Sequence, residues 1–313
     1  MRTAFADTLL ELARDDPRIM LVVGDLGFGV VMRFKEELPE QFVNAGVAEQ
    51  NMTGLSAGLA MCGKIVFTYS IANFPVLRCL EQIRNDVCYH DVPVRIVTVG
   101  GGLAYGSLGP SHHATEDLAV LRSIPNLLVL APGDPVETRA ATIGLIDYPG
   151  PAYLRLGRAG EPVVHQGPIE FEFGRAIRVR EGTDATLVST GGMLHNCVEA
   201  SEILKMQGYE VAVLSVHTLK PFDDAALARE ASKTGAIFTV EEHTVIGGLG
   251  GATAESLLES GVTPAIFRRV GLRGGFSSIV GDQAYLWSRY GLDPHSIAST
   301  VSEALQSRGL REH

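Results

Sequence analysis

The stretch Ile19-Met20-Leu21-Val22-Val23-Gly24-Asp25 consists of five apolar residues ended by a glycine and an acid. An unbroken apolar run of this length is typical of a strand buried on both faces, as in parallel sheets. The preceding residues 3–14 have a helical pattern that places Phe5, Leu9 and Leu12 on one face. The same alternation of apolar runs and helical patterns continues through further predicted strands at 64–68, 94–99, 127–130 and 152–155. We therefore predict an open, mostly parallel sheet with helices on both faces.

The chain has 313 residues, which is enough for two domains of about 150 residues each. Residues 161–172 contain Gly, Pro and polar residues without any period, as a linker does. A second α/β pattern follows, with predicted strands at 185–190, 210–216 and 236–240. The fold class that we predict is α/β, with two open-sheet domains at 1–160 and 173–313 joined by the linker 161–172.

The composition excludes several classes of protein. The sequence has 26 basic and 36 acidic residues, a net charge of −10, whereas nucleic-acid and anionic-membrane partners require clustered Lys and Arg. No run of about 18 apolar residues predicts a membrane span, and the first residues lack the apolar core of a signal peptide. The four cysteines have no zinc-site spacing. We expect a cytoplasmic protein that has no nucleic-acid or membrane partner and contributes no metal ligand.

The segment Gly46-Val47-Ala48-Glu49-Gln50-Asn51-Met52 places an acid at the start of a predicted helix rich in small residues. An acid in the first turn interacts favourably with the helix dipole, by about 0.3–1 kcal/mol, and needs no further function. The alternative is a buried carboxylate, which must be hydrogen-bonded by something. The residues alone leave both interpretations open.

The segment Gly109-Pro110-Ser111-His112-His113 places two histidines in a loop after a predicted strand. Open α/β sheets bind ligands at this position, beyond the carboxyl ends of their strands. An ordinary solvated loop is the alternative. The upstream Gly100-Gly101-Gly102 lacks the Lys-Ser/Thr of a phosphate-binding loop and the spacing of a dinucleotide fingerprint, so by itself it is a weak signal.

These two segments belong to a longer ordered series. The others are Gly24-Asp25-Leu26, Phe67-Thr68-Tyr69-Ser70, Phe74, Arg78, Arg122-Ser123-Ile124-Pro125-Asn126, Pro132-Gly133-Asp134-Pro135, Leu156-Gly157-Arg158, Lys220-Pro221-Phe222-Asp223, Val240-Glu241-Glu242-His243 and Gly247-Gly248-Leu249-Gly250-Gly251. The series resembles the transketolase family of thiamine-diphosphate enzymes. The resemblance covers essentially the whole chain and matches the family's pyrimidine-binding and C-terminal domains.

The resemblance implies a binding site for thiamine diphosphate, the cofactor that carries the carbanion chemistry. In the family a buried glutamate hydrogen-bonds the pyrimidine ring and favours the tautomer that takes a proton from the thiazolium. Glu49 matches that glutamate and would be catalytic. Phe74 matches the aromatic residue that stacks on the pyrimidine, and Phe67 and Tyr69 are predicted to be wall residues. Ile71 stands where many family members have another aromatic residue.

The resemblance also implies a sugar site. His112 matches the histidine that contacts the reacting sugar, where it can stabilise oxygen charge or transfer protons, and His113 is predicted to bind substrate beside it. Asp25 matches the acid at the opening of the donor channel, in contact with cofactor and substrate. Arg2 and Arg158 match the family's phosphate-binding arginines, since a guanidinium fork suits a phosphate monoester.

Two positions depart from the family pattern at the phosphate end of this site. Gly29 stands where the family has a serine, and Gly100 stands where it has a histidine. The sequence suggests that the two glycines leave room there. Loss of a small hydrogen-bond donor costs about 1–3 kcal/mol, so we expect a ketose donor whose terminal phosphate is held weakly, and an acceptor bulkier than ribose 5-phosphate.

A complete family member also has a pyrophosphate-binding half with a Gly-Asp-Gly…Asn segment, which holds Mg²⁺ and the diphosphate through oxygen ligands. No segment of this sequence matches it. We therefore predict the second subunit of a split transketolase, with the Mg²⁺ ligands on an N-terminal partner subunit. Since pyrimidine-binding domains of the family also pair about a two-fold axis, we expect a homodimer within a heterotetramer.

The predicted activity is transfer of a two-carbon ketol unit from a ketose or ketose phosphate to an aldose. A deoxyxylulose-phosphate synthase shares the Gly-x-Ala-Glu-Gln motif, but it is normally one chain. The β subunit of a 2-oxo acid dehydrogenase is also a separate chain, but its loop usually reads Gln-His-Ser. A non-catalytic partner subunit is the third alternative, and the presence of Glu49 and His112 argues against it.

Overall fold

The apolar run Ile19–Val23 forms a strand in which all five residues are buried. It belongs to the first of two open sheets in the computed structural model, which describes residues 1–27 and 29–309. The strands are β1 (Ile19–Val23), β2 (Phe42–Asn44), β3 (Ile65–Ile71), β4 (Val94–Val99), β5 (Leu128–Leu130), β6 (Ala152–Leu156), β7 (Ile177–Arg180), β8 (Ala185–Ser189), β9 (Val211–Ser215), β10 (Thr218–Lys220), β11 (Ala236–Thr244) and β12 (Ile266–Leu272).

The helices follow the strands in alternation. They are α1 (Arg2–Asp15), α2 (Met32–Glu37), α3 (Glu49–Met61), α4 (Asn73–Leu77), α5 (Leu80–Gln82), α6 (Asp117–Arg122), α7 (Pro135–Asp147), α8 (Met193–Met206), α9 (Asp224–Thr234), α10 (Leu249–Glu259), α11 (Gln283–Tyr290) and α12 (Pro294–Gly309), with a π-helical turn at Ile83–Cys88. Local chemistry sets several ends: Asp134 accepts a hydrogen bond from the Glu137 amide ahead of Pro135, so it caps α7.

The first sheet has seven strands in the order β10-β5-β6-β4-β3-β1-β2, and the second has five in the order β12-β11-β8-β9-β7. Pairing is parallel throughout, except that β10 runs antiparallel to β5 and β7 antiparallel to β9. The predicted fold class, two mostly parallel open-sheet α/β units, is confirmed.

Two apolar layers cover the first sheet. One face packs Phe5 and Leu9 of α1 and Leu145 of α7 against the strands. The opposite face packs Met52 of α3 together with Val76 of α4. Because side chains alternate along a strand, neighbouring residues of β3 belong to different layers.

Strand β10 lies beyond the predicted linker in the sequence, yet it pairs with β5 of the first sheet. It is three residues long, too short to have a recognisable period, so the sequence did not indicate it. Strand β10, which follows the predicted linker in the sequence, therefore extends the first sheet.

The predicted linker is fixed to the first unit. The side chain of Asp134 accepts hydrogen bonds from the amides of Val164 at 2.9 Å and His165 at 3.0 Å. Nε2 of His165 lies 2.8 Å from Oε1 of the fully buried Glu137.

Within the described residues, no helix combines the length and apolarity that crossing a bilayer requires.

Candidate active site

The segments that the sequence singled out lie beyond the carboxyl ends of the parallel strands of the first sheet. Asp25 follows β1, Glu49 follows β2, Phe74 follows β3, His112 lies in the long connection after β4, and Arg158 follows β6. The carboxyl ends of parallel strands meet at one edge of a sheet, where α/β proteins form ligand sites. The fold therefore brings these five residues to one edge.

Glu49 is the first residue of α3, and its side chain is buried. Its Oε2 atom accepts a hydrogen bond from Nη1 of Arg78 at 3.2 Å, and no bond to Oε1 is present among the described residues. The adjacent Gln50 donates from Nε2 to the carbonyl oxygen of Arg78 at 3.0 Å. The start of α3 therefore holds both ends of Arg78 and keeps one carboxylate oxygen free as an acceptor.

Arg78 also lies over the ring of Phe74, with its guanidinium carbon 4.7 Å from the ring centroid. The two residues are four apart, and the Arg78 amide donates to the Phe74 carbonyl at 3.2 Å, which completes one helical turn. A cation over an aromatic face is an attractive arrangement. Arg78 therefore joins the predicted catalytic acid to the predicted stacking ring.

The line of side chains continues from Phe74 through His112. Their rings meet edge to face, with centroids 5.1 Å apart. The His112 ring lies 6.2 Å from that of Tyr105, and the guanidinium carbon of Arg158 lies 5.1 Å from the Tyr105 centroid. We call the following set the active-site row: Glu49, Arg78, Phe74, His112, Tyr105 and Arg158.

Hydrogen bonds orient the loop that carries His112. The Ser111 hydroxyl lies 3.0 Å from Nδ1 of His112, and Nδ2 of Asn73 donates to the Ser111 carbonyl at 2.8 Å. At the base of the loop, Gly102 and Ala114 exchange backbone hydrogen bonds at 2.9 and 3.0 Å. The loop is therefore closed at its base and tied to α4 near its tip.

The second sheet also contributes to this loop through Glu242 of β11. The buried carboxylate accepts hydrogen bonds from the Leu103 amide at 3.0 Å, Nε1 of Trp287 at 2.7 Å and Nε2 of Gln283 at 2.9 Å. Burial raises the pKa of Glu242, and these donors offset part of that rise. The C-terminal part of the chain thereby fixes the start of the loop that presents His112.

Asp25 is exposed and has a positive φ of 54°. Asn44, at the end of β2, donates from Nδ2 to Oδ1 of Asp25 at 2.9 Å. Its Oδ1 atom accepts from the amides of Asp25 at 3.1 Å and Gly46 at 3.0 Å. One amide side chain therefore holds the predicted channel acid and the loop that leads into Glu49.

Phe67 and Tyr69 lie elsewhere, and the expectation that they form the cofactor's walls was wrong. Both side chains are fully buried in the layer beneath α1, where each ring centroid is 6.1 Å from that of Phe5. Glu49 begins α3 on the opposite face of the sheet. The alternation along β3 explains the difference, since residues 67 and 69 point to the same face.

His113 also departs from its predicted role. Its ring is buried, Nε2 lies 3.3 Å from the Gly106 carbonyl, and burial lowers the pKa of its imidazole. Its neighbour His112 is half-buried and faces Phe74 and Tyr105. Of the two adjacent histidines, His112 alone belongs to the active-site row, and His113 packs within its own loop.

Gly29 and Gly100, which depart from the family pattern at the phosphate end, differ in the free volume beside them. Apart from its chain neighbours, a Cβ atom at position 29 would meet no atom of the described residues within 4 Å, so Gly29 does leave room. A Cβ atom at position 100 would overlap the ring of Tyr105. The expectation that Gly100 leaves room was wrong, because the ring of Tyr105 fills that volume.

Arg2 begins α1 and is partly buried. The charges of Arg2 and Arg158 both lower the pKa of Tyr105, although burial has the larger effect and raises it. Both arginines therefore lie near Tyr105, at the far end of the active-site row from Glu49.

Comparison with known proteins identifies the family. Residues 1–160 match the family model "Transketolase, pyrimidine binding domain", and residues 174–297 match "Transketolase, C-terminal domain". The chain belongs to the transketolase family.

Relatives specify the kind of transketolase. The chain is 41% identical to an apulose-4-phosphate transketolase subunit of Phocaeicola vulgatus over 96% of each chain. It is 39% identical to "6-deoxy-6-sulfo-D-fructose transketolase subunit SqwH" of Clostridium sp. strain MSTE9, over 99% of this chain and 96% of that one. A solved structure described as "Split gene transketolase, inactive beta4 tetramer" is 38% identical, with a TM-score of 0.87 over 97% of each chain. The prediction of the second subunit of a split transketolase, a transferase, is confirmed.

Sequence reasoning missed three residues of the candidate site. Arg78 stood within a quoted motif, and its position four residues after Phe74 is a usable signal for contact. Asn44 and Tyr105 had no such signal, because their partners are distant in sequence or belong to another loop.

No cluster of His, Cys, Asp or Glu side chains suited to a metal ion occurs in residues 1–27 and 29–309.

Proposed function

We propose that this subunit supplies the pyrimidine half of a thiamine-diphosphate site, and that the complete site transfers a two-carbon ketol unit from a ketose to an aldose. The observation that carries the proposal is the buried carboxylate of Glu49, which keeps one oxygen free beside Phe74 and His112. A buried carboxylate requires a hydrogen-bonding partner. Arg78 satisfies Oε2 alone, which leaves Oε1 for a donor on the cofactor.

The residues fit the cofactor that the family implies. Thiamine diphosphate, when bound, supplies the carbanion chemistry that no side chain can provide. Glu49 would accept a hydrogen bond from its pyrimidine ring, and the half-exposed ring of Phe74 would stack on that pyrimidine. Arg78 would keep Glu49 and Phe74 in fixed positions. Phe67 and Tyr69 are not proposed for this role, because they lie in the layer beneath α1, on the opposite face of the sheet from α3.

His112 is proposed as the catalytic residue on the substrate side. Its Nδ1 atom lies near the Ser111 hydroxyl, and its ring is clamped between Phe74 and Tyr105. A fixed imidazole at this position can stabilise negative charge on a substrate oxygen or hold a proton there. Asp25 is proposed to contact cofactor and substrate at the channel opening, positioned by Asn44.

Arg2 and Arg158 are proposed to bind an anionic group at the far end of the ketose. Two guanidinium groups near one phenol form a cationic end of the pocket, and they suit tetrahedral oxyanions. The names of two relatives support this, because one includes a phosphate and the other a sulfo group. This assignment concerns the ketose donor and not the acceptor aldose.

The rest of the site is proposed to come from a partner subunit that carries the Mg²⁺ and diphosphate ligands. Three large apolar side chains beside the active-site row are exposed in this chain: Val47 by 75%, Leu77 by 48% and Leu108 by 53%. Exposed apolar groups around a site are typical of a surface that another chain covers. We propose a homodimer of this chain extended by two partner chains, in keeping with the two-fold symmetry usual for such assemblies.

Calorimetry tests the division of the site between two chains. The isolated subunit with Mg²⁺ and thiamine diphosphate should release little heat, and addition of the partner encoded by a neighbouring reading frame should restore tight binding. Glu49→Gln is the matched control, since it changes one atom of the proposed contact. Tight binding by the subunit alone would contradict the proposal.

A donor screen on the reconstituted complex tests the reaction class. Transfer from a ketose to an aldose supports ketol transfer. If pyruvate were the only donor, the reaction would instead be that of a deoxyxylulose-phosphate synthase or a 2-oxo acid dehydrogenase.

A further inference from the structure

Tyr105 occupies the volume that a side chain at position 100 would need. A Cβ atom added to Gly100 would overlap two carbons of the Tyr105 ring, and Gly100 itself has a φ of 84°. A glycine tolerates both the close ring and the left-handed backbone. Tyr105, five residues further along the same connection after β4, therefore fills the volume beside position 100.

The Tyr105 ring is a platform for Arg158. The guanidinium carbon of Arg158 lies 5.1 Å from the ring centroid, and no hydrogen bond or ion pair from Arg158 to another described residue is present. An exposed arginine with no ionic partner keeps its hydrogen-bonding edge available. Since an aromatic face restrains the guanidinium without using its N–H groups, the ring sets where those groups point.

Arg2 brings a second positive charge close to Tyr105, and one of its polar atoms lacks a partner. Nε of Arg2 and Oη of Tyr69 are both buried and form no hydrogen bond within residues 1–27 and 29–309. The Arg2 charge acts on the hydroxyls of Tyr69 and Tyr105 alike. The Arg2 guanidinium therefore adds positive charge beside Tyr105 and keeps one N–H without a partner among the described residues.

Tyr105 carries no formal charge that would compete with such a group. Burial raises the pKa of its hydroxyl further than the two nearby arginines lower it, so the phenol is neutral at physiological pH. A neutral phenol leaves the charge of the two arginines available to an anion, whereas a phenolate would repel the anion.

We infer that Tyr105 is a specificity-determining residue that holds Arg158 in place for a tetrahedral oxyanion, a phosphate or a sulfonate, at the end of the ketose donor. The inference rests on the proposed function, because it assigns one end of that substrate pocket. The two glycines predicted that the terminal phosphate of the donor is held weakly. We instead expect the oxyanion to be held by Arg2 and Arg158, with the Tyr105 ring beside them.

The test uses the reconstituted complex with ribose 5-phosphate as the fixed acceptor. Donors are xylulose 5-phosphate and fructose 6-phosphate, their unphosphorylated counterparts xylulose and fructose, and 6-deoxy-6-sulfofructose as the sulfonate. The anionic donors should have kcat/KM values at least about 100-fold above those of the neutral donors. Preference for either the phosphate or the sulfonate over the neutral ketose supports the inference and identifies the oxyanion.

Two variants separate the effect of the aromatic face of Tyr105 from the effect of its side-chain size. Tyr105→Phe keeps the ring and should keep the anionic-to-neutral ratio of kcat/KM within about threefold of wild type. Tyr105→Leu removes the aromatic face and should lower that ratio about tenfold or more, through KM for the anionic donor. Tyr105→Met is the second variant should the leucine variant not fold. Tyr89→Leu, at a tyrosine that is 82% exposed, is the control and should change nothing.

The outcomes distinguish the inference from the proposed function. If the leucine and methionine variants keep the wild-type ratio, or lose activity equally with both donor classes, the inference is overturned and ketol transfer stands. The same holds if the wild-type complex uses neutral ketoses as well as anionic ones. A complex that transfers ketol units from none of the donors overturns both.

Discussion

Arg78 donates a hydrogen bond from Nη1 to Oε2 of Glu49 at 3.2 Å. The same guanidinium lies over the ring of Phe74. In this arrangement Glu49 cannot rotate without losing the bond, and the free oxygen keeps one direction. Arg78 is therefore a positioning residue for the proposed catalytic acid.

We expect Arg78→Leu to slow hydrogen–deuterium exchange at C2 of bound thiamine diphosphate by about tenfold in the reconstituted complex, because Glu49 loses its restraint. Arg78→Lys keeps the charge but not the planar fork, so it should restore part of the rate. Arg84→Leu, on the neighbouring π-helical turn, is the control. An unchanged exchange rate in Arg78→Leu would contradict the positioning role.

Asn44 offers a second test of positioning. Its side chain holds Asp25 and the Gly46 amide at once, so Asn44→Leu should release both. We expect the Michaelis constants for cofactor and donor to rise about tenfold each, with the melting temperature within a few degrees of wild type. Asn51→Leu, at an exposed position in the first turn of α3, is the control. Unchanged constants would mean that Asn44 serves the fold alone.

Gly29→Ala and Gly100→Ala together test whether the Tyr105 ring fills the volume beside residue 100. Their φ angles are 79° and 84°, so alanine strains the backbone similarly at both, by about 1–2 kcal/mol. Only Gly100 faces the Tyr105 ring. We expect Gly100→Ala to lower the free energy of unfolding by about 1–3 kcal/mol more than Gly29→Ala. Denaturant unfolding measures this difference, and Tyr105→Ala combined with Gly100→Ala should reduce it. Equal losses would contradict the packing at position 100.

His165 and Glu137 give a pH-dependent prediction. Burial lowers the pKa of His165, but the hydrogen bond and charge of Glu137, with the charge of Asp134, raise it overall above 6.5. Burial raises the pKa of Glu137, but His165, His217 and the Gly133 amide lower it overall below 4.5. The His165 contribution is complete below pH 6.5 and is lost as pH rises through its folded pKa. The Glu137 contribution is complete above pH 4.5 and is lost as pH falls.

The pair should therefore stabilise most between pH 4.5 and 6.5. We expect His165→Gln to lower the free energy of unfolding by about 1–3 kcal/mol in that window, and by less as pH rises to 8. Denaturant unfolding across this range measures it. His195→Gln is the control, since His195 pairs with Glu199 on the surface of α8. If His165→Gln lowered the free energy of unfolding by the same amount at every pH, the ion pair would be excluded.

The sequence predicted most of the parallel strands, because short unbroken apolar runs are typical of buried strands. It did not predict the parallel strands β2 and β12. It also brought Glu49, Phe74 and His112 to one edge, since motifs that follow neighbouring strands must meet there. Their roles, and the division of the chain at residues 160 and 173, stay predictions.

The rest depended on contacts between distant segments. Phe67 and Tyr69 sat in a matching motif, but the face of β3 that they occupy is set by what packs on it. Tyr105 fills the space at Gly100 from five residues away, which no period or spacing indicates. Strand β10 joins the first sheet although the second unit surrounds it in sequence.

The most direct test of the central claim concerns Glu49 in the complex of this subunit with its partner. Exchange of the C2 hydrogen of thiamine diphosphate for deuterium, followed by NMR, reports proton removal without any sugar. Glu49→Gln should slow this exchange by several orders of magnitude, since the carboxylate that would favour the proton-accepting tautomer of the pyrimidine is lost, while circular dichroism and complex assembly stay as in wild type. Exchange at the wild-type rate in a folded, cofactor-bound Glu49→Gln complex would contradict the account.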